Sequence, residues 1–125
     1  MSGAERSSIE RSGGGPLPDN HRELDPGSGQ QKAYVVLTAE ERAKGYVRPV
    51  RCSYVHVGAN AQWDGAVLVK LGEGGCGTLT TMARDIAETY AREPAFYGGT
   101  FCVGCRKHLP LAGFVWDGSR EIVGS

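Results

Sequence analysis

Hydrophobic positions are spread very unevenly along the chain. Residues 1–31 hold the isolated Ile9, Leu17 and Leu24 scattered among Gly, Ser, Pro and charged residues, while the apolar runs fall within residues 32–125. So few apolar side chains cannot offset the conformational entropy of ordering a chain, which predicts a flexible N-terminal arm over 1–31 and one folded domain over 32–125. Thr38 followed by Glu41 has capping-box spacing, and Gly45 suits the left-handed end of a helix, so a short helix is expected over 39–44. In YVRPVRCSYVHV, residues 46–57, β-branched and aromatic residues alternate with polar ones. That is the pattern of a strand with Cys52, Tyr54 and His56 on one face and Pro49 at an edge or bulge.

The triplet Trp63-Asp64-Gly65 leads into AVLVKL, and Trp116-Asp117-Gly118 lies between LAGFVW and SREIVG. Asp-Gly between apolar runs signals a hairpin, so two hairpins are expected. Met82, Ile86, Ala87 and Tyr90 form an apolar stripe at helical spacing. This predicts a helix capped by Thr80 or Thr81 and ending near Arg92 before Pro94, with Arg84, Asp85, Glu88 and Arg92 facing outward.

Composition narrows the possible partners without naming one. Formal net charge is zero, with three arginines against five acids in the arm and eleven basic against nine acidic residues in the body. A nonspecific DNA binder ordinarily carries a clear basic excess, which this chain lacks. No long apolar stretch marks a membrane span, and the polar N-terminal residues do not read as a secretory signal. Four cysteines in such a chain point to a reducing, cytoplasmic setting, where C-x-x-C means metal or redox chemistry more often than a structural disulfide.

Cys102 and Cys105 form that C-x-x-C, a spacing that lets one tight turn offer two sulfurs to a single ion. Upstream, Cys52, His56 and Cys76 offer one ligand more than a four-coordinate Zn²⁺ accepts. His56 at a strand end and Cys76 in the turn Cys76-Gly77-Thr78 complete the set His56, Cys76, Cys102 and Cys105, provided residues 58–75 are an excursion within the first knuckle. Cys52, or His108 three positions beyond Cys105, remains an alternative to His56.

Other chemistries fit the same residues less well. Arg106 stands where c-type haem attachment needs a histidine, and the residues after Cys105 contain Pro110 and Gly113 where a dithiol oxidoreductase starts a helix. A zinc deaminase needs H-x-E, but Val57 and Gly58 follow His56. Gly72, Gly74 and Gly77 spell G-x-G-x-x-G, yet Thr78 replaces the phosphate-gripping lysine, and the chain beyond is too short for a dinucleotide fold. These glycines are read as the bend that brings the backbone round to Cys76.

The fold expected is therefore α+β: a zinc-ribbon-like antiparallel sheet with one main packed helix and a flexible arm. The closed ligand set argues for a structural metal and against an enzyme, since no open coordination position or paired acid and base stands out. Two functions follow. The first is a noncatalytic, zinc-stabilised module that docks onto another protein. The second is nucleic-acid binding through a local basic patch of Arg48, Arg51, Arg106 and Lys107, with Tyr46 and Tyr54 nearby.

Over residues 46–125, and most specifically in IAETYAREPAFYGGTFCVGC and the terminal FVWDG, the chain resembles a group of small zinc-ribbon proteins of tailed-phage and prophage genomes. The resemblance implies the same four ligands, and a setting in phage assembly or interference with a host machine, in the bacterial cytoplasm or a virion. It implies no activity.

Overall fold

The computed structural model describes residues 8–125. Along the chain run β1 (Ile9–Arg11), β2 (Val35–Leu37), α1 (Ala39–Arg42), β3 (Ser53–His56), β4 (Gln62–Asp64) and β5 (Val67–Lys70). These are followed by β6 (Leu79–Thr81), α2 (Arg84–Arg92), β7 (Gly99–Cys102), β8 (Lys107–Pro110) and β9 (Phe114–Trp116). All strand pairs are antiparallel: β1 with β2, β4 with β5, β7 with β8, and a central sheet in the order β6-β3-β9. The fold is α+β, with one main helix. Among the described residues no helix is long and apolar enough to cross a membrane.

Local chemistry sets several of these elements where the sequence places them. The Thr38 side chain accepts a hydrogen bond from the Glu41 N–H at 3.2 Å and caps α1, and Gly45 at φ +110° follows the helix. Gly65, at φ +62°, turns β4 into β5. The second triplet also turns, with Gly118 at φ +78°, but its returning limb makes a single bridge, Val115 to Ile122, rather than a full strand. The two turns meet: Arg120 donates to the Gly65 carbonyl at 3.1 Å and its guanidinium lies 5.5 Å from the centre of the Trp63 ring.

The strand expected over 46–57 is regular only from Ser53 to His56. The helix expected from Thr80 or Thr81 begins at Arg84, after the N-cap residue Ala83. Thr80 and Thr81 instead pair with Tyr54 and Ser53, so strand pairing outcompetes their capping tendency.

The core is aromatic. Tyr54, Tyr90, Cys102, Phe114, Trp116 and Val123 are buried together, with Met82, Ile86 and Leu111 packed against them. Tyr54 meets Phe114 and Trp116 edge-on, and Tyr90 meets Trp116 in the same way, an arrangement that suits the ring quadrupoles. The Tyr54 hydroxyl donates to the Phe101 carbonyl and accepts from Thr100 Oγ1 at 3.1 Å, which binds β3 to β7 inside the core.

The N-terminal arm makes specific contacts with the body. Of the segment expected to be flexible, residues 8–31 lie along the body, while residues 1–7 fall outside the described residues. Ile9–Arg11 pairs with Val35–Leu37, and Asp85 of α2 accepts from Ser12 Oγ at 2.7 Å and from the Gly13 N–H at 2.6 Å. Arg42 reaches Glu10 at 3.8 Å and Glu88 at 3.2 Å, tying β1, α1 and α2 together. The polar face of α2 is therefore partly covered by this segment and α1, so that Asp85, Glu88 and Arg92 are only half-exposed. Strand pairing with β2 and polar contacts to α1, α2 and Arg106, which apolar content does not register, tie the segment to the body.

Candidate metal centre

Two strands, a turn and a loop bring the four predicted ligands to a common point. His56 closes β3, Cys102 closes β7, Cys105 lies in the turn between β7 and β8, and Cys76 ends the loop that leads to β6. One ligand atom from each lies within 4.8 Å of all the others. Cys76 Sγ is 3.4 Å from Cys102 Sγ, and His56 Nδ1 is 3.8 Å from Cys102 Sγ and 3.5 Å from Cys105 Sγ. All four cysteines are free thiols.

Each ligand is held by its local backbone. In the Cys102–Cys105 turn, the Cys105 N–H points at Cys102 Sγ at 3.4 Å and the Arg106 N–H bonds the Cys102 carbonyl at 2.7 Å. Arg106 closes the turn at φ +57°, a left-handed conformation more usual for glycine. In the other turn, Gly77 at φ +74° donates to the His56 carbonyl at 2.8 Å, linking Cys76 to the end of β3. The His56 ring is buried and stacked on Phe114, centroids 4.7 Å apart, directly across the β3–β9 pair. This fixes Nδ1 toward the sulfurs.

The excursion between His56 and Cys76 carries the β4–β5 hairpin, and its base is closed by backbone packed on backbone. A Cβ on Gly72 would lie 2.1 Å from the Ala59 carbonyl oxygen, and one on Gly75 would lie 2.4 Å from that of Val57. Gly72 of the G-x-G-x-x-G pattern and the neighbouring Gly75 therefore serve chain approach, while Gly74 and Gly77 supply left-handed turn positions at φ +79° and +74°.

Burial raises the Cys76 pKa, but the Thr78 hydroxyl and backbone N–H, with His56 and Cys102, outweigh it and bring the thiol down to about 6. Cys105 moves the other way, pushed up to about 11 by desolvation and by the adjoining Cys76 and Cys102. Three acids crowded together ionise fully only when a cation compensates them. A Cys₃His set supplies that chemistry for one tetrahedral metal ion, and it presents four ligands with none to spare.

The competing ligands lie outside the cluster. His108 Nε2 lies 2.9 Å from the Tyr34 hydroxyl, with its ring against Tyr34 and Phe101. Cys52 lies outside the cluster, its carbonyl accepting from the Met82 N–H at 2.8 Å. The basic residues also have individual partners. Arg51 pairs with Glu121 at 2.9 Å and lies over Trp116, Arg48 donates to the Ser125 carbonyl at 3.2 Å, and Arg106 donates to the Gly27 carbonyl. Lys107 is exposed on β8, Tyr46 bonds Glu88, and Tyr54 belongs to the core rather than to any surface patch.

Sequence reasoning overlooked the residues that join the two turns. Thr78 bonds Cys76, Thr80 Oγ1 accepts from the Val103 N–H at 3.1 Å, and Gly104 lets the turns touch. A glycine immediately before the second cysteine and a threonine two positions after Cys76 were the available signals. The chain matches no protein-family model, curated protein or solved structure.

Proposed function

We propose that the chain is a noncatalytic protein-binding module stabilised by one structural Zn²⁺ held by His56, Cys76, Cys102 and Cys105. The convergence of these four ligand atoms within 4.8 Å carries the reading. A tetrahedral zinc with bonds of about 2.3 Å to sulfur and 2.0–2.1 Å to nitrogen sets its ligands roughly 3.5–3.8 Å apart. Three of the six pairwise separations, at 3.4 to 3.8 Å, match that spacing, and all six lie within 4.8 Å. Three thiolates favour zinc over magnesium or calcium, which take oxygen ligands.

The ligand set supports a structural role because four protein ligands saturate a tetrahedral ion and leave no position for substrate. The ion cross-links β3, the excursion loop and the β7–β8 turn, supplementing a small core. Protein binding is favoured over nucleic-acid binding because Arg48, Arg51 and Arg106 already serve Ser125, Glu121 and Gly27. The partner we propose, on the resemblance of residues 46–125 to phage zinc-ribbon proteins, belongs to a phage assembly or a bacterial host machine. Elemental analysis of purified protein tests the metal, with one zinc per chain and unfolding on strong chelation expected. Crosslinking in infected or lysogenic bacteria tests the partner class, and recovery of nucleic acid with no protein overturns it.

A further inference from the structure

The phase of the β3–β6 pairing leaves a defined set of backbone groups free. The His56 N–H bonds the Thr78 carbonyl, and the Met82 N–H bonds the Cys52 carbonyl. In an antiparallel pair, bonded and non-bonded residue pairs alternate. Tyr54 and Thr80 therefore form a bonded pair, and Leu79 and Thr81 sit at the non-bonded positions, with N–H and C=O directed away from β3. β6 is the edge of its sheet, and among the described residues these groups find no backbone partner.

That edge opens onto a groove of about 760 Å³, within the range of roughly 300–1,000 Å³ typical of ligand sites. Leu79, Thr81, Met82 and Ile86 lie on one side, Tyr97 and Phe101 contribute apolar surface, and Gln31 and Tyr34 come from the N-terminal segment. Arg22 is the one formally charged residue among the described residues that line it.

We propose that this groove accepts an extended peptide segment of a partner protein, which adds as a strand to the edge of β6. Backbone groups of Leu79 and Thr81 would bond the peptide main chain, alternate apolar side chains would enter the Met82–Ile86 side, and a carboxylate would face Arg22. Main-chain bonds supply affinity in this mode of recognition, and pockets for alternate side chains supply specificity. Residues of the N-terminal segment, among them Ser12, Arg22 and Gln31, also line the groove, so a single strand is accommodated more readily than the sheet edge of a second folded copy, which would meet that segment. The proposal deepens the protein-binding reading and rests on it.

A library of short displayed peptides panned on the zinc-loaded full chain provides the probe. A selected peptide is then synthesised in plain form and in a form N-methylated at alternate residues. The expected result is slowed hydrogen exchange at the Leu79 and Thr81 amides with the plain peptide, and at least about tenfold weaker binding of the methylated one. Thr81→Pro, which removes one edge N–H and leaves the bonded pairs with β3 intact, should weaken the plain peptide similarly while zinc content stays at one per chain. The proposal is overturned if no peptide is enriched, if bound peptide leaves those amides unprotected, or if methylation has no effect. It is also overturned if self-association of the chain already protects them. A partner protein crosslinked through another surface would sink the strand-addition site alone and leave the binding-module reading standing.

Discussion

Gly104 and Thr78 are in such close contact that a Cβ on Gly104 would lie 2.4 Å from Thr78 Oγ1, and only 3.0 Å from Cys76 Sγ. The absence of a side chain at residue 104 is thus what lets the two ligand-bearing turns approach. Gly104→Ala should push the turns apart and weaken zinc binding by about tenfold or more, the scale seen when groups supporting a metal site are altered. Competition against a chromophoric chelator measures this. Unchanged affinity would show that the turns have slack.

The ligand assignment makes a sharper comparison. Cys102→Ser and His56→Ala should each lose stoichiometric zinc and leave the chain largely unfolded, because apparent binding energies of about 10–16 kcal/mol are typical of small structural sites. Cys52→Ser and His108→Gln should keep one zinc per chain, since Cys52 is outside the cluster and His108 is bonded to Tyr34. Metal content and far-ultraviolet dichroism of the four variants decide the matter. Full zinc in His56→Ala would place the fourth ligand elsewhere.

The C-x-x-C spacing, the strand-end histidine and the Cys-Gly turn made the cluster of His56, Cys76, Cys102 and Cys105 legible, because metal geometry restricts which residue types can stand at such positions. The α1 cap and the Asp-Gly turn after Trp63 were legible for a similar reason: each depends on a few adjacent residues. The start of α2 and the course of residues 8–31 depend on partners far along the chain. Thr80 answers to Tyr54, and Ser12 answers to Asp85, 73 positions later. No window of neighbouring residues contains that information, and a polar segment anchored by hydrogen bonds looks much like an unanchored one.

Tyr54→Phe isolates one buried hydrogen-bond pair. The lost hydroxyl leaves the Phe101 carbonyl without its donor and Thr100 Oγ1 without its acceptor, on the same strand as Cys102. A destabilisation of about 1–3 kcal/mol is expected, with zinc stoichiometry unchanged. Chemical denaturation of the zinc-loaded protein measures it. A value near zero would mean that water replaces the hydroxyl.

His108 provides a pH signature away from the metal ligands. Burial lowers its pKa below the usual 6.5, so the folded state favours the neutral ring beside the Tyr34 hydroxyl. The unfolded chain then binds the proton more readily. This contribution to stability is fully present above pH 6.5 and declines as pH falls through that value toward the folded pKa. An NMR titration of the His108 ring in zinc-loaded protein should give a midpoint below 6.5, and a midpoint above it would contradict the burial.

Asp85 tests how the N-terminal segment is held. Its carboxylate accepts from both Ser12 Oγ and the Gly13 N–H, and those bonds sit beside the β1–β2 pair on a face of α2 that would otherwise meet solvent. Removing the carboxylate leaves Ser12 and Gly13 to find water, which is readily available at a half-exposed site, so Asp85→Ala should cost the whole fold little, about 1 kcal/mol. The local effect should be much larger. Cleavage by a nonspecific protease within the Gly13-Gly14-Gly15 stretch should accelerate severalfold while the zinc-bound body persists, because local opening and not global unfolding exposes that backbone. Equal cleavage rates in the variant and the parent protein would mean that β1–β2 pairing, with Arg42 and Glu10, holds the segment without help from α2.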